Sequence, residues 1–271
     1  MFPHHLIFRA DTYIICIQIS NVRCISMEEK RNRDGKTLGE FLREYDPNKY
    51  RRPSVAADIA VFTPVETDGA LALGVLLIKR GDHPHIGEYA LPGGFVNMDE
   101  EIISAAAREL MEETGVTGVP LREYHTYSAV DRDPRTRIIT AAHYAVLPFG
   151  EGSIAAGDDA AYTEVFEVDT RLMARCASAE TYQIALYGVN DMLTCRCKLR
   201  YDELGSYTEP IPGGGLASDH GHVLFGALMA LRRQPADRLA RLMTRACPQR
   251  ELEMLIAIDS ALSALPQRCE I

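Results

Sequence analysis

Three glutamates, Glu109, Glu112 and Glu113, stand at i, i+3 and i+4 in a segment whose apolar residues recur with helical period. At about 100° per residue their carboxylates share one face of a single helical turn. Like charges so placed cost an exposed helix roughly 0.2–0.5 kcal/mol per pair, and the last two also meet the negative end of the helix dipole. Local stability does not select this arrangement. A hard divalent cation offsets it, because Mg²⁺ or Mn²⁺ takes oxygen ligands, keeps several waters and bridges carboxylates to phosphates. Arg108, four residues before Glu112 and eight after Glu100, can hold a carboxylate in a fixed orientation. The plain alternative for a bare E-x-x-E-E is a solvated acidic helix.

The wider spacing decides against that alternative. Gly94, Glu100, Arg108, Glu109, Leu110, Glu112, Glu113, Gly115 and Val116 fill every specified position of G-x5-E-x7-R-E-U-x-E-E-x-G-U, with U aliphatic. With ordinary residue usage the chance of this match is about one in a million or less. The segment resembles the Nudix box. The resemblance implies a loop, helix and loop that bind divalent cations and hydrolyse a nucleoside diphosphate linked to another group. It places Glu109, Glu112 and Glu113 on the cation (Mg²⁺, or Mn²⁺), gives Gly93 a carbonyl to offer it, and has Glu100 and Arg108 orient the helix. Glu112 is the base expected to take the proton of the attacking water. An acid on a later loop sometimes contributes in this superfamily, and Asp158, Asp159 and Glu164 are the candidates.

The likeness continues outside the box, in 51–55, 76–80, 89–96, 131–137 and 156–160, all similar to ADP-ribose pyrophosphatase-type Nudix proteins. These stretches most resemble a two-domain bacterial group that contains both hydrolases and repressors of NAD metabolism. ADP-ribose, cleaved to AMP and ribose 5-phosphate, is the substrate this implies. Two departures qualify it: Pro134 comes later than the proline usual for ADP-ribose specificity, and the coenzyme A signature ahead of the box is incomplete. Arg80, Arg132, Arg135 and Arg137 are candidate diphosphate or ribose contacts, since forked guanidinium groups suit phosphate oxygens. The alternative for each is a turn held by an Asp/Arg pair. The rival function is a sensor that binds such a nucleotide with little turnover and regulates transcription; the intact box favours the hydrolase.

The elements that must position these residues are readable in outline. Thr37-Leu-Gly-Glu40 has the form of a capping box, predicting a short helix over 37–45. The runs 54–63 and 71–79 predict an antiparallel strand pair joined through Glu66-Thr67-Asp68-Gly69, and strands are also expected at 137–147 and 163–168. Between them a helix over 99–114, with an apolar stripe of Ile102, Ile103, Ala106, Leu110 and Met111, ends at Gly115. Strands and helices mix without a regular βαβ repeat, which favours an α/β sandwich over a doubly wound sheet. By resemblance this is the Nudix α/β/α sandwich with a mixed sheet, spanning 27–210 with the N-terminal helix.

The run Glu209-Pro-Ile-Pro-Gly-Gly-Gly215 reads as a domain boundary, with helices predicted at 216–233, 237–246 and 249–265. A small helical domain over 216–271 follows, resembling a truncated winged helix: only Pro266–Ile271 remain where a recognition helix and wing should stand. Six arginines between 232 and 250 form a local basic patch, yet DNA binding is not expected. Asp219 reads as a helix N-cap, followed by His220 and His222.

At 271 residues the chain exceeds one average domain, and 46% apolar with 25% charged residues excludes wholesale disorder. Its formal charge of −9 disfavours binding to phosphate backbones over the whole surface. Seven scattered cysteines without a secretory segment fit reduced thiols in a cytosol, and Cys195 and Cys197 read as strand residues, not zinc ligands. The opening 1–26 has neither signal-peptide nor membrane-span character, and whether this extension belongs to the fold is left open. A homodimer acting on a small nucleotide, with no membrane partner, is the expected assembly.

Overall fold

The computed structural model describes residues 29–150, 160–245 and 247–266. The extension 1–26 lies outside them, as do Asp158 and Asp159. The chain divides into two compact units after Arg51. In the first unit, helix α1 (Leu38–Glu44) starts as its capping box requires. The Glu40 N–H donates to Thr37 Oγ1 at 3.2 Å and the Thr37 N–H donates to Glu40 Oε2 at 2.8 Å.

The second unit, from Arg52 onward, carries ten strands and four helices among its described residues. In chain order they are β1 (Ser54–Thr67), β2 (Ala70–Arg80), β3 (Tyr89–Ala90), β4 (Gly93–Phe95), α2 (Ile102–Thr114), β5 (Arg122–Tyr127), β6 (Ile138–Val146) and β7 (Ala160–Cys176). Then come β8 (Ala179–Tyr187), β9 (Met192–Asp202), β10 (Gly205–Gly214), α3 (His220–Arg232), α4 (Ala236–Met243) and α5 (Pro248–Leu262). One sheet runs β10-β9-β8-β7-β2-β1-β6-β5, with β3 on β2 and β4 on β1. β1 and β6 are parallel and the other pairs antiparallel, so the sheet is mixed. The β1–β2 pair turns at Asp68-Gly69, whose φ values of 52° and 80° suit the two-residue hairpin that matches strand twist.

β1 is an apolar run because both its faces are covered. Ala57, Ile59 and Val61 pack with Ala106 and Leu110 of α2. Ala60 and Phe62 share the opposite core with Leu224, Leu239 and Ile258 of α3, α4 and α5. The architecture is therefore an α/β/α sandwich, and the C-terminal helices supply its second helical layer.

The helical region expected after 210–215 is present, and it packs on the sheet. The run of prolines and glycines is largely β10, and β10 is the sheet's edge strand, where a missing N–H and a bulge between Ile211 and Gly214 are tolerated. The predicted helices do form, but on the sheet: Thr170 Oγ1 donates to the Ala261 carbonyl at 2.5 Å, and the Tyr124 hydroxyl to the Val223 carbonyl at 2.6 Å. Cys195 and Cys197 are buried strand residues of β9. Among the described residues no helix is long and apolar enough to cross a membrane.

Candidate active site

Helix α2 is held by Ala105, Ala106, Leu110 and Thr114, all buried, while Ile102, Ile103 and Met111 of the predicted stripe stay exposed. Burying Leu110 contributes about 1.5–3 kcal/mol. Gly115, at φ 73°, closes the helix by donating its N–H to the Met111 carbonyl at 2.9 Å. Anchored so, α2 sets its acidic face against β4, which lies antiparallel on β1 with Gly93 opposite Asp58.

Two glycines allow this close approach. A Cβ on Gly93 would stand 2.8 Å from Asp58 Cα, and one on Gly94 would overlap the Glu109 carboxylate. Gly93 donates its N–H to Glu113 Oε2 at 2.8 Å; the predicted carbonyl donor thus first meets α2 through its N–H. Gly93 and Gly94 line a cleft with Asp58, Arg80, Arg132, Arg135 and His220.

Arg108 organises the remaining carboxylates. Its Nε and Nη2 fork onto Glu100 at 3.1 and 2.7 Å, its Nη1 bridges Glu109 at 2.8 Å and Glu112 at 2.9 Å, and Nη2 also reaches the Phe95 carbonyl. The Asn97 N–H adds a bond to Glu100 at 2.8 Å. Arg108's hydrogen bonds, then that N–H, hold Glu100 down to about 2. Burial pushes Glu113 up to about 8 against the Gly93 N–H, with the negative charge of Glu109 adding, Arg80 opposing and Asp58 adding again. Burial also raises Glu109 despite Arg108.

The other predicted residues separate. Arg135 lines the cleft, forked onto Asp133 at 3.0 and 2.9 Å and lying over the Phe95 ring. Arg80 donates to the Pro84 carbonyl at 2.8 Å. Arg132, only 6% exposed, is committed to Asp219 at 2.9 and 2.8 Å and to Thr140. Asp219 takes the N-cap position of α3 but gives its side chain to Arg132 instead of capping. Arg137 is not brought to the cleft and donates to the Ser128 carbonyl. Nor is Glu164, which is buried and accepts from Val189 N–H at 2.5 Å and Tyr89 hydroxyl at 3.3 Å. The residue the sequence reading passed over is Asp58, whose signal was a lone charge inside an apolar strand.

Among the described residues no three ligand-type side chains already converge on one point, and Arg108 is bridged to two of the carboxylates. The donor set nevertheless suits a hard divalent cation. It is made of carboxylates, burial raises Glu113 to about 8, and Asp58 Oδ2 is buried without a hydrogen-bond partner.

The sequence matches the NUDIX domain over residues 54–174. It is 37% identical over 133 residues to the "ADP-ribose pyrophosphatase" of Methanocaldococcus jannaschii, covering 48% of this chain and 73% of that protein. The chain belongs to the Nudix family. Its Nudix box is the β4–α2 segment just described, and the family is one of pyrophosphohydrolases. A second relative, the "ADPR responsive transcriptional repressor NtrR" of Acinetobacter baylyi, is 32% identical over 111 residues, 40% of this chain and 43% of that one. The crystal structure of a MutT/nudix family protein from Enterococcus faecalis superposes with a TM-score of 0.59 at 26% identity, over 87% of this chain and 85% of that one. That span exceeds the matched domain, so the fold is shared beyond residue 174.

Proposed function

We propose that this Nudix protein hydrolyses the diphosphate of a nucleoside diphosphate linked to another group, with ADP-ribose as substrate and Mg²⁺ or Mn²⁺ as cofactor. The observation that carries this reading is the abutment of Glu109 and Glu113 on Gly94 and Gly93, at a cleft whose other wall carries Arg80 and Arg135. The pyrophosphatase relative supports the choice of substrate.

Glu109, Glu112 and Glu113 would hold the cation, which supplies charge neutralisation for the diphosphate and acidifies water. Arg108 and Glu100 keep α2's carboxylates aimed at β4. Arg80 and Arg135 bind diphosphate oxygens. Glu112, the most exposed of the three glutamates, takes the proton of the attacking water. The water oxygen bonds to one phosphorus while the bridging oxygen leaves with the other, giving AMP and ribose 5-phosphate. Assay of purified protein against ADP-ribose, NADH, sugar nucleotides and nucleoside triphosphates tests this; no turnover across that panel refutes it.

The repressor relative favours a second reading, a nucleotide sensor acting through the C-terminal helices. Binding to the gene's own upstream DNA, reversed by ADP-ribose, would establish it. The expected outcome is no shift, since the arginines of 232–250 lie on or beside helices that form a layer of the sandwich and several are already paired: Arg232 with Asp259, Arg241 with Asp237, Arg250 with Glu66.

A further inference from the structure

Asp58 stands in the middle of β1, inside a run that is otherwise apolar, and is 6% exposed. A carboxylate is costly to bury there unless something compensates it. Its Oδ2 has no hydrogen-bond partner. The nearest cation, Arg132 Nη2, is 3.6 Å away, with its fork already engaged by Asp219 and Thr140. His220, on the same cleft, accepts the Leu91 N–H on Nδ1 at 3.0 Å, and burial pushes its pKa down.

What Asp58 does touch is Gly93. A Cβ built on Gly93 would lie 2.9 Å from Asp58 Oδ1, while the N–H of the same glycine is bonded to Glu113 Oε2 at 2.8 Å. Two carboxylates, one from the box and one from the central strand, thus flank a single residue. A diphosphate is repelled by both. A divalent, oxygen-seeking cation held here would remove that conflict and would satisfy Oδ2, which has no hydrogen bond. We propose that Asp58, which lies outside the Nudix box, is a further ligand of the divalent cation, facing Glu113 across Gly93. This rests on the cation-dependent reading given above.

Mn²⁺ binding to the full chain, followed by electron paramagnetic resonance and calorimetry without nucleotide, is the test. Asp58→Asn should weaken Mn²⁺ binding 10- to 100-fold, whereas Asp219→Asn, which removes the other partner of Arg132, should lower Tm and leave Mn²⁺ affinity within twofold. If Asp58→Asn binds Mn²⁺ as the wild type does and merely melts earlier, Asp58 serves Arg132 alone and the proposal is overturned. Should Asp58→Asn fail to fold, Fe²⁺ with ascorbate and peroxide on the wild type decides, by cutting the chain beside the bound metal. Cuts near 58 as well as near 93 and 109–113 support the assignment; cuts confined to 109–113 overturn it. A wild type that takes up no Mn²⁺ at all would instead defeat the underlying cation reading.

Discussion

Replacing Glu113 by Gln should make the metal-free protein more stable at alkaline pH, although it damages the site. Burial raises the Glu113 carboxyl from 4.5 to about 8. Between those values the native state keeps a proton that the unfolded chain has lost, so stability falls as pH rises through that window, by roughly 5 kcal/mol at most. Below pH 4.5 both states are protonated and the penalty is absent. Gln carries no charge and its oxygen can still accept the Gly93 N–H, but its NH2 group is incompletely satisfied, which costs about 1–3 kcal/mol. The net gain is about 2–4 kcal/mol at pH 9, equivalent to roughly 5–15 °C in Tm for a unit of this size. Calorimetric melts in EDTA at pH 5 and pH 9 measure it: the variant should melt level with or a few degrees below the wild type at pH 5, where the amide cost outweighs the small carboxylate penalty, and above it at pH 9. Mg²⁺ should raise only the wild-type Tm, because only that protein binds it well. Equal melting of the two proteins at pH 9 in EDTA, or a wild type that gains stability on the variant from pH 5 to 9, would refute the buried, uncompensated carboxylate.

Glu112→Gln should lower kcat by two orders of magnitude or more with an unchanged melt; unchanged kcat removes Glu112 from the role of base. Gly93→Ala and Gly94→Ala should part company. The first drives a methyl into the backbone of Ala57 and Asp58 and should cost about 1–3 kcal/mol or more in denaturant melts, whereas the second meets first the movable Glu109 carboxylate and should chiefly weaken Mn²⁺ binding. Arg132→Ala leaves Asp219 and Asp58 facing each other without their buried cation, and urea unfolding should register a loss of about 3–5 kcal/mol.

The box was legible because its chemistry is written in one turn of helix, where spacing alone determines which carboxylates meet, and Gly115 marks its end as a left-handed cap. The β1–β2 pair was legible for a similar reason, its turn lying in adjacent residues. Arg132 lines the cleft, and its partner Asp219 is 87 residues away, a pairing no local pattern announces. Arg135, by contrast, matches both readings, forked onto a neighbour and still lining the cleft. Strand β8 carries Tyr182, Ile184 and Leu186 toward the core, and β9 was legible only at Cys195 and Cys197, because polar neighbours such as Arg196 and Lys198 dilute its apolar signal. The prolines of β10 read as a break in a sequence, yet they fit an edge strand, which imposes no demand for every N–H.

The most direct test of the central claim is to incubate the protein with ADP-ribose and follow the products by phosphorus NMR, with Mg²⁺ or Mn²⁺ and then with EDTA. AMP and ribose 5-phosphate should accumulate only while the cation is present. Intact ADP-ribose under both conditions, or equal cleavage in EDTA, would contradict the account.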